Sequence, residues 1–260
     1  MPIIDVDGCG LNVEVEGPAG APVLMLSNSL GTDLHMWDPQ VKPFTERFRL
    51  VRYDRRGHGK SAVPPGPYSM ERLGRDVLGI LDRLGIATAN WCGLSMGGMV
   101  GQWLGANAPT RVRRLVLANT VCHFPMKDIW AERIAMVRKG GMAAIADATM
   151  TRWFTAPFIA REPETIAGMK AMVLSTPPAG YIANCEAIRD MDHRELVTRI
   201  GATTLLIAGR HDVATPLEGA EFIRARIPGA TIAVLQAGHI SNVEQAPECT
   251  AKVLEFLTAK

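Results

Sequence analysis

The pentapeptide Gly93-Leu94-Ser95-Met96-Gly97 sets a serine between two glycines, directly after the apolar run ANWCGL (89–94) and at the head of a helical pattern that runs to about Ala108. A serine that is to attack a carbonyl has to project from a sharp strand-to-helix turn, and such a turn excludes bulky neighbours two residues to either side. Gly93 and Gly97 meet that condition. The five-residue pattern by itself also describes an ordinary glycine-rich turn. Its place between a strand and a helix is what makes Ser95 a candidate nucleophile.

A serine hydroxyl is a weak nucleophile and needs a histidine base, itself held in the correct tautomer by a carboxylate. When the nucleophile sits on such a turn in an α/β sheet, the chain order is serine, acid, histidine, with acid and base on loops at later strand ends. Asp212 follows the run TTLLIAG in GRHDVATP, and His239 follows ATIAVLQ in AGHISNVEQAP. The remaining histidines fit less well. His35 and His58 precede the nucleophile, His123 and His193 lie outside the strand-end loops that follow the acid, and His211 adjoins Asp212. Asp54, at the end of LVRYD, is the rival acid, but YDRRGHGKS precedes the nucleophile and reads as a structural loop; Asp190 and Asp192 fall in a helical stretch. The candidate triad is therefore Ser95, Asp212 and His239.

These residues need a scaffold, and short β-type runs recur along the chain: LNVEVE (11–16), PVLMLS (22–27), FRLVRYD (48–54), ANWCGL (89–94), VRRLVLANT (112–120), TTLLIAGR (203–210) and ATIAVLQA (230–237). From Pro22 onward most are nearly continuous apolar runs, the pattern of strands covered on both faces. Helical patterns lie between them. The clearest spans 69–85, with Leu73, Val77, Leu81 and Leu84 on one face, Ser69 as N-cap and Gly85 at the end. Pro216 and Pro247 stand where helices should begin. The alternation predicts an α/β fold with a mostly parallel, doubly wound sheet. It stops between Val121 and Val197, where the sequence is helical throughout. We expect core segments at 1–120 and 198–260, and a helical cap at 121–197 over the crevice at the carboxyl edge of the sheet.

The 260 residues are 47% apolar and 21% charged, with a net charge of +2, as expected of a soluble globular chain. No run of Lys or Arg exceeds two and no apolar stretch is long enough to span a bilayer, which argues against nucleic-acid and membrane partners. Five scattered cysteines make neither a C-x-x-C pair nor a zinc spacing, and the start MPIIDVDGCG lacks the features of a signal peptide, so a cytoplasmic location is expected. No nucleotide-binding glycine motif follows a strand.

The segments SNSLGTDLHMW, YDRRGHGKS, GLSMGG, GRHDVATP and AGHISNVEQAPE closely resemble the 3-oxoadipate enol-lactonases, and the helical stretch IWAERIAMVRKGGMAAIADATMTRWFTAPF looks like that family's cap. The resemblance implies the α/β-hydrolase fold, with eight strands and the cap inserted after the sixth. It also implies hydrolysis of an enol-lactone to 3-oxoadipate in bacterial breakdown of protocatechuate and catechol, with a small anionic lactone as substrate and no metal or organic cofactor.

Because that lactone carries a free carboxylate, a cation should meet it, preferably a planar arginine fork. Arg133, Arg138 and Arg152 are the candidates in the cap, with Trp130, Trp153 and Tyr181 as walls. Arg133 and Trp130 come first because residues three apart share a helix face. The stretch VLMLSNSLGTDLHMW (23–37) has the composition of a turn after a strand. Alignment with relatives that carry His-Gly here puts Asn28-Ser29 in that place and makes the Leu30 backbone N–H one oxyanion donor, with the Met96 N–H as the second. A general carboxylesterase or haloperoxidase-like perhydrolase could share fold and triad, and a slow ligand receptor on a hydrolase fold is the non-enzymatic alternative.

Overall fold

The apolar runs read from the sequence form the strands of one sheet. The structure, a computed structural model, describes residues 3–259. Its strands are β1 (Ile3–Val6), β2 (Cys9–Glu16), β3 (Val23–Ser27), β4 (Arg49–Tyr53), β5 (Ala89–Leu94), β6 (Val112–Ala118), β7 (Thr203–Gly209) and β8 (Thr231–Leu235). They lie in the order β1-β2-β4-β3-β5-β6-β7-β8. The first two pairings are antiparallel and all later ones parallel. Every residue of β5 is buried, Asn90 included, as its nearly continuous apolar run requires of a strand covered on both faces. β1 is the strand that the seven runs omit. It has four residues of alternating exposure and leaves Ile3 57% exposed, so it is too short and too one-sided to stand out as a buried run.

From β3 the chain steps to one side to form β4 and then crosses to the other side of β3 to form β5. The carboxyl ends of β3 and β5 are thus where the winding reverses, the position at which open α/β sheets form their ligand crevice. Ser27 and Gly93 are register partners across this pair. The loop after Ser27 and the turn after Leu94 therefore emerge side by side.

Helices cover both faces: α1 (Asp38–Thr45), α2 (Met70–Arg83), α3 (Met96–Asn107), and, after β7, α9 (Leu217–Arg224), α10 (Ser241–Glu244) and α11 (Ala246–Thr258). The N-cap of α2 is Ser69, whose Oγ accepts the Arg72 N–H at 3.1 Å, and Gly85 follows the helix at φ 64°. Replacing this cap with alanine should cost about 1 kcal/mol. Between β6 and β7 lie only helices: α4 (Asp128–Gly140), α5 (Ala143–Trp153), α6 (Ala156–Arg161), α7 (Pro163–Ser175) and α8 (Pro178–Asp190), apart from short 3-10 turns. The two ends of this segment meet where the His193 N–H donates to the Cys122 carbonyl at 2.7 Å and His123 bridges Asp192. Among the described residues no helix is long and apolar enough to cross a membrane.

Candidate active site

Ser95 occupies the turn between β5 and α3 at φ 58°, ψ −115°, a conformation that costs a side-chain-bearing residue about 1–3 kcal/mol and persists only where its surroundings enforce it. The enforcement is visible. The Ser95 N–H donates to the Ala118 carbonyl at 2.8 Å, and its own carbonyl accepts from the Met99 N–H and from Thr120 Oγ1. A Cβ on Gly93 would run into the Gly97 carbonyl, and one on Gly97 into that of Ser27. The glycines of the pentapeptide are thus required by backbone packing as well as by the turn.

Asp212 and His239 follow β7 and β8, and Nδ1 of His239 lies 2.9 Å from Asp212 Oδ2 in a buried pair. Asp212 is held from several sides. Its Oδ1 accepts the backbone N–H groups of Ala214 (2.8 Å) and Thr215 (2.9 Å), while Oδ2 also accepts from Thr215 Oγ1 (2.6 Å) and Asn119 Nδ2 (3.0 Å). Burial alone would raise this carboxyl, but the imidazole and the Thr215 donors outweigh it and bring it down to about 2. Thr215 Oγ1 also lies 3.2 Å from His239 Nδ1. Asn119, at the end of β6, donates further to the Gly238 carbonyl and accepts from Ser241 Oγ at 2.6 Å, which joins the acid to the histidine loop. The rival residues lie elsewhere. Asp54 accepts from Asn12 Nδ2, the Leu34 N–H and the Lys60 N–H, a fastening of loops, and Asp190 and Asp192 pair with Arg189 and Arg194 at the surface.

The segment after β3 runs beside the serine turn. The Gly97 N–H donates to the Asn28 carbonyl at 3.1 Å, the Arg55 guanidinium donates to the same oxygen, and Asn28 Nδ2 donates to the Tyr53 carbonyl. Gly31, at φ 80°, donates its N–H to His58 Nε2 at 2.9 Å. Leu30 lies between these two anchor points. Among the described residues neither the Leu30 nor the Met96 N–H donates to a protein acceptor, which leaves both for an incoming oxygen.

Ser95, His239 and Leu30 line one cavity. Its opposite wall comes from the helices between β6 and β7: Trp130 and Arg133 of α4, Arg152 and Trp153 of α5, and Tyr181 of α8. Arg133 Nε donates to Tyr181 Oη at 2.6 Å and Nη2 to Thr149 Oγ1 at 2.9 Å. Arg152 lies beside it. Burial, and then the Arg133 charge, lower Arg152 below the ordinary arginine value. No carboxylate pairs with either guanidinium among the described residues. Arg138 lies apart from these: five residues beyond Arg133 on α4, about a turn and a half, its side chain is 64% exposed and 3.7 Å from Glu186, and it is not part of the cavity lining.

Sequence reasoning passed over Asn119, Thr215 and Glu244. Glu244 Oε2 accepts the Gly238 N–H at 2.9 Å and its Oε1 accepts from Thr155 Oγ1, which ties the segment after α5 to the histidine loop. Asn119 had a signal, since it ends the apolar run of β6 at the edge where ligands bind. Thr215 had a weaker one, three residues beyond an aspartate at the turn that follows β7. Glu244 carried none that separates it from a solvated helix residue.

Sheet order, serine turn and paired Asp212–His239 together define a class. A family model described as alpha/beta hydrolase fold matches residues 22–246, and the chain belongs to that family, as an ester hydrolase. Within it the chain belongs with the 3-oxoadipate enol-lactonases. It is 41% identical to 3-oxoadipate enol-lactonase 2 of Acinetobacter baylyi, over 90% of this chain and 88% of that one. Among solved structures, the enol-lactonase from Burkholderia xenovorans LB400 superposes with a TM-score of 0.96 at 44% identity, covering 98% of each chain. A hydrolase from Pseudomonas aeruginosa PA01 gives 0.95, also at 44%, over 98% of this chain and 97% of that one.

Proposed function

We propose that this chain hydrolyses 3-oxoadipate enol-lactone to 3-oxoadipate through an acyl-enzyme on Ser95, as a step of the β-ketoadipate pathway. The observation that carries the substrate class is the pair Arg133 and Arg152, two guanidinium groups without a carboxylate partner that line the same cavity as Ser95 and His239. Two like charges side by side in a partly buried wall are unfavourable until an anion joins them. A lactone with a free carboxylate supplies that anion at one end and an ester carbonyl at the other.

Ser95 Oγ bonds to the lactone carbonyl carbon as His239 Nε2 takes its proton, with Asp212 stabilising the imidazolium. The Leu30 and Met96 N–H groups bear the oxyanion. Collapse of this intermediate breaks the ring C–O bond and expels an enolate, which becomes a ketone by taking the proton that His239 holds and so returns the imidazole to its basic form. Because that leaving group is stabilised, positioning the ester and bearing the oxyanion are the main tasks. Water, deprotonated by His239, then attacks the acyl carbon, releases the second carboxylate and frees Ser95. Residues 121–197 act as a cap that closes the crevice and supplies its anion-binding wall. The scattered cysteines, free and buried, suit a chain working in the cytoplasm.

The deciding assay uses freshly generated enol-lactone with Ser95→Ala as the control. Wild type should turn over the lactone and the variant should not; equal rates would sink both the substrate and the mechanism. Far better turnover of simple acyl esters would instead make this a general carboxylesterase.

A further inference from the structure

His58 is buried, belongs to none of the groups assigned above, and sits in the loop between β4 and α2. Its Nε2 is the acceptor for the Gly31 N–H at 2.9 Å. A backbone N–H can only donate, so Nε2 must be bare, and the neutral ring must carry its proton on Nδ1. The Arg56 backbone carbonyl is the ring's other partner. Asn184 Nδ2 approaches Nδ1 at 3.4 Å, a packing contact because both atoms then carry protons. Burial, reinforced by the Arg55 charge, holds the imidazole well below its ordinary pKa, so the acceptor persists through the physiological range.

The same loop grips the neighbouring segment at a second point. Arg55, buried and brought down to about 10 by that burial, donates to the Asn28 carbonyl. Asn28 and Gly31 are therefore both fastened to residues 55–58, and Leu30 is suspended between them with its N–H directed to no protein acceptor. The loop is itself clamped by α8. Asn184 Nδ2 donates to the carbonyls of Arg56 (3.0 Å) and Gly180 (2.8 Å), and a Cβ on Gly57 would come within 2.6 Å of Gly180 Cα.

We propose that His58 is a positioning residue for the oxyanion hole: through the Gly31 N–H it sets the orientation of the Leu30 peptide group, and α8 locks it from the cap side. The inference rests on the reading of Leu30 as an oxyanion donor but not on the identity of the ester. An oxyanion donor acts on the transition state, and losing one outright costs about 10²–10³ in kcat. A displaced donor should cost less, with ground-state binding untouched.

The test compares wild type, His58→Leu, which deletes the acceptor, and His58→Gln, whose Oε1 can reach the position of Nε2. The substrates are the enol-lactone and a neutral aryl ester. We expect His58→Leu to lose about tenfold to a hundredfold in kcat with KM within about twofold, and His58→Gln to recover most of the loss. Labelling of Ser95 by a phosphonate ester should slow in parallel, whereas the Kd for 3-oxoadipate should not move. In the wild type, imidazole 15N shifts should report an Nδ1–H, Nε2-bare ring from pH 5 to 8, a measurement that survives even if the leucine variant does not fold. A folded His58→Leu with unchanged kcat, a glutamine variant as impaired as the leucine one, or a wild-type Nε2–H tautomer would each overturn the inference. Wild type active on the aryl ester but inert to the lactone would overturn the substrate reading alone, since the His58 comparison is then made on the aryl ester.

Discussion

The carbonyl oxygen of Trp153 accepts the backbone N–H of His239 at 2.7 Å and that of Ile240 at 3.2 Å. The end of α5, which also presents Arg152 and Trp153 to the cavity, is thereby fixed to the loop that carries the imidazole. On the function proposed above, the arginine wall holds the carboxylate and His239 acts as the base, and a mobile joint between them would lose the fixed distance that an anionic ester requires. Here one carbonyl sets it.

Gly238 lies in that joint, and a Cβ there would come within 2.6 Å of the Trp153 carbonyl. Gly238→Ala should therefore push the histidine loop from α5. We expect kcat to fall by about tenfold to a hundredfold, since a displacement near 1 Å costs about that much. The thermal midpoint should drop as well. Steady-state kinetics beside a melting curve will check this; a variant with wild-type kcat would mean that the joint does not set the imidazole.

Asp212 offers a test with a sign. Its folded-state pKa of about 2 lies below the ordinary 3.8, so the folded protein binds this proton less readily than the unfolded chain. The stabilisation is whole above about pH 4 and is lost as pH falls towards 2, a span worth roughly 2 kcal/mol. Asp212→Asn removes that dependence. Urea titrations at pH 5 and pH 3 should show a smaller acid-induced loss in the variant than in wild type. Its kcat should fall by ~10³–10⁴ because an amide holds the ring poorly and does not stabilise the imidazolium.

Two of the candidate arginines between β6 and β7 separate cleanly. Arg152→Gln should raise KM for the enol-lactone about tenfold or more, the worth of one charged hydrogen bond, and leave KM for a neutral aryl ester within about twofold. Arg138→Ala should change neither, because its side chain is exposed beside Glu186. A rise in the lactone KM for Arg138→Ala would place the carboxylate outside the cavity described above.

The sequence carried the sheet wherever burial was two-sided. The runs of β3, β5, β6 and β7 are legible because their central residues are buried on both faces and nearly all apolar, whereas β1 alternates and is only four residues long. The proximity of Ser95, Asp212 and His239 was legible because strand ends and chain order restrict it. Which of Arg133, Arg138 and Arg152 reaches the cavity was not legible, because spacing along a helix names a shared face without fixing which face turns inward; Trp130, Arg133 and Arg152 line the cavity and Arg138 does not. Thr215 acts on Asp212 from three residues away, whereas the contacts of Asn119 with Ser241 and of Glu244 with Thr155 join residues 122 and 89 positions apart, and no local pattern encodes those pairings.

Gly97 separates the two meanings of the pentapeptide. If its role were only to permit a turn, alanine would be tolerated there, since Gly97 lies within α3 and does not have a positive φ. The structure gives another reason: a Cβ would enter the space of the Ser27 carbonyl, on the strand that leads to Asn28 and Leu30. Gly97→Ala must either move β3 from β5 or tilt the first turn of α3, and both shift the Leu30 and Met96 N–H groups, the proposed oxyanion donors, relative to Ser95 Oγ. Overpacking of backbone against backbone should cost about 3 kcal/mol of stability. The folded fraction should show a kcat loss of at least about tenfold with the lactone KM nearly unchanged. Denaturant titration and active-site-titrated kinetics measure the two effects separately, and a stable, fully active Gly97→Ala protein would refute the steric account.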